Sequence, residues 1–228
     1  MRPVIAVLAC AACGRLGFGA FAGDGGGGSG DDDGSVPGSG SDLSGTCLSP
    51  GYGDGFDEVL PCNAFGMLQV TNAGMNVMNS QLTISPNAST MSTAGCERVS
   101  GAFGAAGTFI EISQVLPPPG QTLLEITGTS TSFTAGIIVA NGLLTYSDSA
   151  RTFTMMPYNP SAHRWWRIRP AGDKLVAETS PNGKGWTMFA SATTASPSDV
   201  AIAAYVQSDT SNTTPGAAVF QGIDVCPP

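Results

Sequence analysis

Residues 163–189 read HRWWRIRPAGDKLVAETSPNGKGWTMF, and this stretch decides the fold. It reads as three antiparallel strands over 163–169, 174–179 and 185–190, because runs of aromatic and β-branched residues are separated by Pro-Ala-Gly-Asp and Ser-Pro-Asn-Gly, which close tight turns. Successive strand residues point to opposite faces, so Trp166 and Ile168 share one side while Trp165, Arg167 and Arg169 share the other. The first pair belongs in a core. With a four-residue turn at 170–173, Trp165 lies opposite Glu178 and Arg167 lies diagonal to it, which gathers an aromatic ring, a cation and a carboxylate. Trp165, Arg167, Arg169 and Glu178 are therefore the candidate ligand-binding residues, since an indole stacks on sugar C–H faces and the charged groups bind hydroxyls. The competing reading is a cross-strand ion pair beside a partly buried tryptophan. Trp186, just after a turn, reads as a core plug.

The same rhythm extends outward. Further candidate strands are 65–71, 75–84, 97–103, 107–115, 121–127, 133–140, 142–147, 151–156, 199–207 and 216–225, and no window sustains a 3.6-residue period over a helix length. Composition agrees: charged residues are only 11% of the 228, against 31 Gly and 16 Pro, which suits short strands and tight turns. So many strands in one unit call for two packed antiparallel sheets, because a single open sheet leaves a face or its edges unprotected. The expected class is all-β, a two-sheet antiparallel β-sandwich over 46–228, after a disordered Gly/Asp-rich linker.

Four cysteines fall in this body, Cys47, Cys62, Cys96 and Cys226. In an exported chain an even number reads as two disulfides, with three pairings open from sequence alone. Cys47–Cys226 with Cys62–Cys96 is preferred, because the first would lock the chain ends together. No CxxC pair exists and the only histidine, His163, has no cysteine nearby, so a zinc site is not expected.

Residues 14–45 carry almost no apolar side chains after residue 22 and read as a flexible Gly/Ser/Asp-rich linker. Random-coil scaling gives it a reach on the order of 30 Å. Asp31, Asp32 and Asp33 are a solvated, self-repelling spacer rather than a calcium site. Residues 1–13, MRPVIAVLACAAC, join one Arg to an apolar run too short to span a bilayer, ending in small residues before a cysteine. This resembles a bacterial lipoprotein signal with Cys13 as the lipidated residue. Cys10 competes for that place, and an ordinary secretory signal is the alternative. Either way the chain is expected to be exported to the cell envelope, and the lipid is the expected membrane contact.

The formal net charge is −8, but five of the 17 acidic residues (Asp24, Asp31, Asp32, Asp33, Asp42) lie in the Gly-rich stretch. The nine basic residues form no run, so the cationic footprint of a nucleic-acid binder is missing.

The hairpin region also carries a resemblance. An RW-x-R-I-R strand (Arg164–Arg169), a strand ending in E-T-S (Glu178–Ser180), and a P-[DN]-G-x-x-W element (Pro181–Trp186) recur in this order in bacterial members of the concanavalin A-like lectin/glucanase superfamily. The closing pair Val200–Val206 and Gly216–Val225 fits the same group. The resemblance implies a jelly-roll sandwich and a polysaccharide or glycoconjugate as partner. It leaves activity open, because the superfamily includes lectins, adhesion modules and glycosidases.

Glycosidases of this fold often carry an E-x-D-x-x-E strand, and that string is missing here. Glu111 and Glu125 stand singly on apolar strands and read as outward-facing alternation positions; His163 lacks triad partners and no G-x-S-x-G elbow exists. The expectation is a non-catalytic, glycan-binding or adhesion sandwich, not an enzyme, without cofactor. The alternatives are a structural envelope protein and a glycoside hydrolase. Asp54, Asp57 and Glu58 lie on a Gly-rich turn, but their spacing matches no calcium loop, so no metal site is assigned.

Overall fold

The computed structural model describes residues 52–56, 62, 65–100, 107–150, 153–193 and 200–225. Among these the chain forms fifteen strands: β1 (Tyr52–Asp54), β2 (Gly66–Thr71), β3 (Ala73–Val77), β4 (Leu82–Pro86), β5 (Ser92–Ser100), β6 (Thr108–Gln114), β7 (Gln121–Gly128), β8 (Thr134–Ala140), β9 (Leu143–Asp148), β10 (Phe153–Pro157), β11 (Trp165–Ala171), β12 (Lys174–Ser180), β13 (Thr187–Ala192), β14 (Val200–Ser208) and β15 (Ala218–Val225). Two antiparallel sheets result. Sheet I runs β13-β12-β11-β6-β15-β4-β3, with β1 added against β15; sheet II runs β10-β9-β8-β7-β14-β5-β2. The last two described strands, β14 and β15, therefore lie in the interior of the two sheets.

Strict alternation builds the core between the sheets. From sheet I, Leu82, Ile110, Ile112, Trp166, Ile168 and Phe220 point inward; from sheet II, Leu124, Ile126, Ile137, Tyr146, Ile202 and Val206 meet them. Trp166, fully buried as its position in the hairpin predicts, donates its Nε1–H to the carbonyl of His163 at 2.8 Å, so its one polar atom is satisfied. The Cys62–Cys96 disulfide forms, with Cα atoms 5.3 Å apart, and pins the approach to β2 against β5. Cys13, Cys47, Cys226, the Asp31–Asp33 run, Asp57 and Glu58 lie outside the described residues.

Two local expectations are corrected. The run read as one strand over 75–84 is a hairpin, β3 and β4, because Asn79 and Ser80 both take left-handed backbone (φ 54° and 55°) and Met78 and Gln81 exchange backbone hydrogen bonds. That is the two-residue turn whose twist matches paired strands. The β11–β12 turn is likewise two residues, Gly172-Asp173, with Gly172 at φ 65°, and not the four residues 170–173. Ala171 pairs with Lys174, which shifts the register by two: Trp165 faces Ser180, and Arg167 faces Glu178 directly.

Candidate functional site

The outer face of sheet I holds all four residues singled out in the hairpin. Glu178 is buried and takes both arginines: Arg167 Nε and Nη2 each donate to its Oε2 at 2.7 Å, while Arg169 donates Nε to Oε2 and Nη2 to Oε1 at 3.0 Å. Burial alone would raise the Glu178 carboxyl, but the hydrogen bonds and charge of Arg169 and Arg167 outweigh it and hold the group below the ordinary carboxylate range. The Arg167 guanidinium also lies 4.0 Å from the centre of the Trp186 ring, a cation–π contact. Trp186 is half-buried on this outer face against Phe109, not in the core between the sheets. Trp165 is only 9% exposed, because the Ser180–Gly185 turn folds across it. The cluster is thus a closed hydrogen-bonded assembly with its indole covered.

Glu111 lies beside it. Its Cα partner on β11 is Trp165, and its Oε1 pairs with Arg164 Nη2 at 2.7 Å, while Oε2 is buried with no hydrogen-bond partner among the described residues. Burial raises the Glu111 carboxyl, and Arg164 opposes that only in part.

Sheet II carries the arrangement that pattern reading passed over. Ala203 on β14 pairs with Glu97 on β5 to one side and with Glu125 on β7 to the other, so both carboxyl side chains leave the same outer face. Their Cα atoms are two strand spacings apart, roughly 9.5 Å. Glu125 Oε2 accepts from the Tyr205 hydroxyl at 3.1 Å and Oε1 from Thr127 Oγ1 at 3.3 Å. Burial pushes the Glu125 carboxyl up, its two hydrogen bonds pull it back in part, and the charge of Glu97 raises it further. The Glu97 carboxyl is raised by burial as well. Leu123, Ala203 and Tyr205, with Leu68 and Ile138 packed against them, form an apolar floor beside the two acids.

Glu125 is outward-facing, as alternation predicts, yet it is not isolated. The signal that relates it to Glu97 is the pairing of β14 with both neighbours, which no local string of residues encodes. His163 is buried, its Nδ1 accepts from the Asn159 backbone N–H, and burial lowers its pKa; it takes no part in either carboxylate cluster. Among the described residues no group of three or more His, Cys, Asp or Glu gathers as a metal cage.

No protein-family model and no curated protein sequence matches the chain. Solved structures do match in fold. An endo-β-galactosidase from Clostridium perfringens that releases GlcNAcα1-4Gal superposes with a TM-score of 0.55 at 7% identity, covering 76% of this chain and 61% of its own. The laminarinase catalytic domain from Thermotoga maritima gives 0.53 at 8% identity, over 76% and 96%. An immunostimulatory antigen and pseudo β-1,3-glucanase of Mycobacterium tuberculosis gives 0.53 at 12% identity, over 81% and 100%. The chain spans about six-tenths of the galactosidase. This comparison overturns the expectation of a non-catalytic sandwich that is no enzyme, because the fold is one on which glycan-cleaving enzymes are built. That expectation rested on local patterns, the missing E-x-D-x-x-E string, the single standing of Glu111 and Glu125 and the missing triad and elbow, tests blind to carboxylates brought together from separate strands. The chain has the jelly-roll fold of the concanavalin A-like lectin/glucanase superfamily.

Proposed function

We propose that this protein hydrolyses glycosidic bonds in a polysaccharide, with Glu97 and Glu125 as its paired carboxylates. The observation that carries the reading is their placement on either side of Ala203 on one face. Glycoside hydrolysis needs one carboxyl that keeps its proton for the leaving oxygen and one that works as an anion. Two donors, Tyr205 and Thr127, stabilise the Glu125 anion, which suits it to act as base or nucleophile. Burial raises both carboxyls, so the donors divide the roles: Glu97 has none among the described residues, which suits it to be the acid. The apolar floor of Leu123, Ala203 and Tyr205 offers a surface for sugar C–H faces. The neighbour titled a laminarinase catalytic domain supports β-glucans as the first substrates to try. In this reading the enzyme works outside the cell, tethered through residues 14–45 to a lipid on Cys13.

The test is release of reducing sugar from β-1,3- and β-1,3-1,4-glucans. Glu125→Gln and Glu97→Gln should each lower the rate by about 10²- to 10⁴-fold while the fold persists. Wild-type rates in both variants, or no release from any glycan tried, would overturn the assignment. Mass spectrometry of the mature N-terminus tests the anchor, which a first residue other than a lipidated cysteine would remove.

A further inference from the structure

We infer that the groove beside Arg164, on sheet I, is a second saccharide-binding site that takes the vicinal hydroxyls of a neutral glycan, separate from the carboxylate pair on sheet II. The groove encloses about 490 Å³, with Ser113, Ser161, Arg164 and Gln221 as its polar lining and Pro160 and Pro181 at its sides.

Three features build it. The first is a β-bulge: Phe220 pairs with Ile112 and Gly222 with Glu111, so Gln221 is the extra residue, and bulges re-aim a side chain in this way. Gln221 Oε1 accepts from Arg164 Nη2 at 2.5 Å. The second is Glu111, which holds the same Nη2 from the other side at 2.7 Å, its own side chain 6% exposed. The third is what this leaves over. Arg164 has five N–H donors in a rigid fork, and its Nε and Nη1 have no protein partner among the described residues; neither has the Gln221 amide nitrogen.

Glu111 is a poor choice for a strand that only has to be stable. A buried carboxylate with one oxygen unpaired costs more than a neutral side chain of the same size. Its effect is to fix one corner of a half-exposed arginine so that the remaining donors keep one direction. Arg164 and Glu111 cancel as an ion pair, so this pair brings no net positive charge to the groove. N–H donors beside serine hydroxyls, flanked by proline C–H surface, match the hydroxyls and C–H faces of an uncharged sugar.

Native electrophoresis of the full chain through gels holding β-1,3-1,4-glucan, β-1,3-glucan or, as the anionic control, polygalacturonate reads this site apart from cleavage. It is run in the Glu125→Gln background, so that its result does not depend on the hydrolase reading. Retardation is expected in at least one neutral gel, with the affinity cut about tenfold by Gln221→Ala and by Arg164→Lys, which keeps the charge and loses the fork. The same two substitutions in the otherwise unaltered protein should leave cleavage of short oligosaccharides unchanged. Should Arg164→Lys fail to fold, Glu111→Gln reads the same loss, because it frees the fork without removing bulk. No retardation in either neutral gel, stronger retardation in polygalacturonate, or variants retarded like the parent would each overturn the proposal.

Discussion

Gly183 packs face-on against the indole of Trp165: a Cβ placed on that glycine would sit 3.1 Å from both Cδ2 and Cε2 of the ring. Gly183 also takes φ 72°, so any other residue there is strained as well as crowded. Trp165→Ala should therefore cost about 3 kcal/mol, the scale for emptying a covered aromatic site. Gly183→Ala should cost about 1–2 kcal/mol. Urea unfolding of both variants measures this. A Trp165→Ala protein as stable as the parent would mean that the turn does not cover the indole.

Glu178 should be an acid-sensitive strut. Its carboxyl is held below the ordinary range in the folded protein, so its contribution is complete above the unfolded glutamate pKa and is lost as pH falls through the lowered folded value. Glu178→Gln should cost about 3 kcal/mol at neutral pH, because Arg167 and Arg169 lose their shared buried anion. The gap between parent and variant should close in acid. Thermal unfolding across that range checks the sign.

Glu125 should show the opposite dependence. Its folded carboxyl is raised, so the folded state favours the proton, and its relative stability is greatest below the unfolded pKa and declines as pH rises through the folded one. Glu125→Gln should be more stable than the parent at neutral pH and lose that advantage in acid. In the same variant, glycan cleavage should fall. Stability gained as activity is lost marks a charged group retained for chemistry.

Replacing Cys62 and Cys96 together by Ala should lower stability by about 4 kcal/mol, the loop-closure value for a bridge spanning 34 residues. Chemical denaturation under non-reducing conditions measures it against the parent.

Much of the fold was legible because alternation is a local property. Trp166 and Ile168 declare their burial within five residues, and the two-sheet assignment follows from repeating that pattern along the chain, while the jelly-roll topology came from the resemblance of the hairpin motifs. Register was less legible, since it depends on turn length. Pro-Ala-Gly-Asp can close as four residues or two, and the choice of Gly172-Asp173 alone moved Glu178 from Trp165 to Arg167. The carboxylate pair was the least legible. Glu97 and Glu125 are related only through Ala203, on a strand more than seventy residues downstream of either. A search for acids close in sequence passes over acids that meet across a third strand.

Strands β14 and β15 have a consequence for the order in which the molecule can be made. β14 separates β7 from β5, and β15 separates β6 from β4, so before residue 200 has emerged the rest of the two sheets is four groups of paired strands and the lone β1, with no ladder joining them. Each group has a bare edge where a central strand will go. A nascent chain must therefore keep the edges of β4, β5, β6 and β7 unpaired until residues 200–225 arrive, and Ala203 arrives with them. The two acids flank one position only once β14 is in place, so a chain cut before residue 200 would lack that juxtaposition.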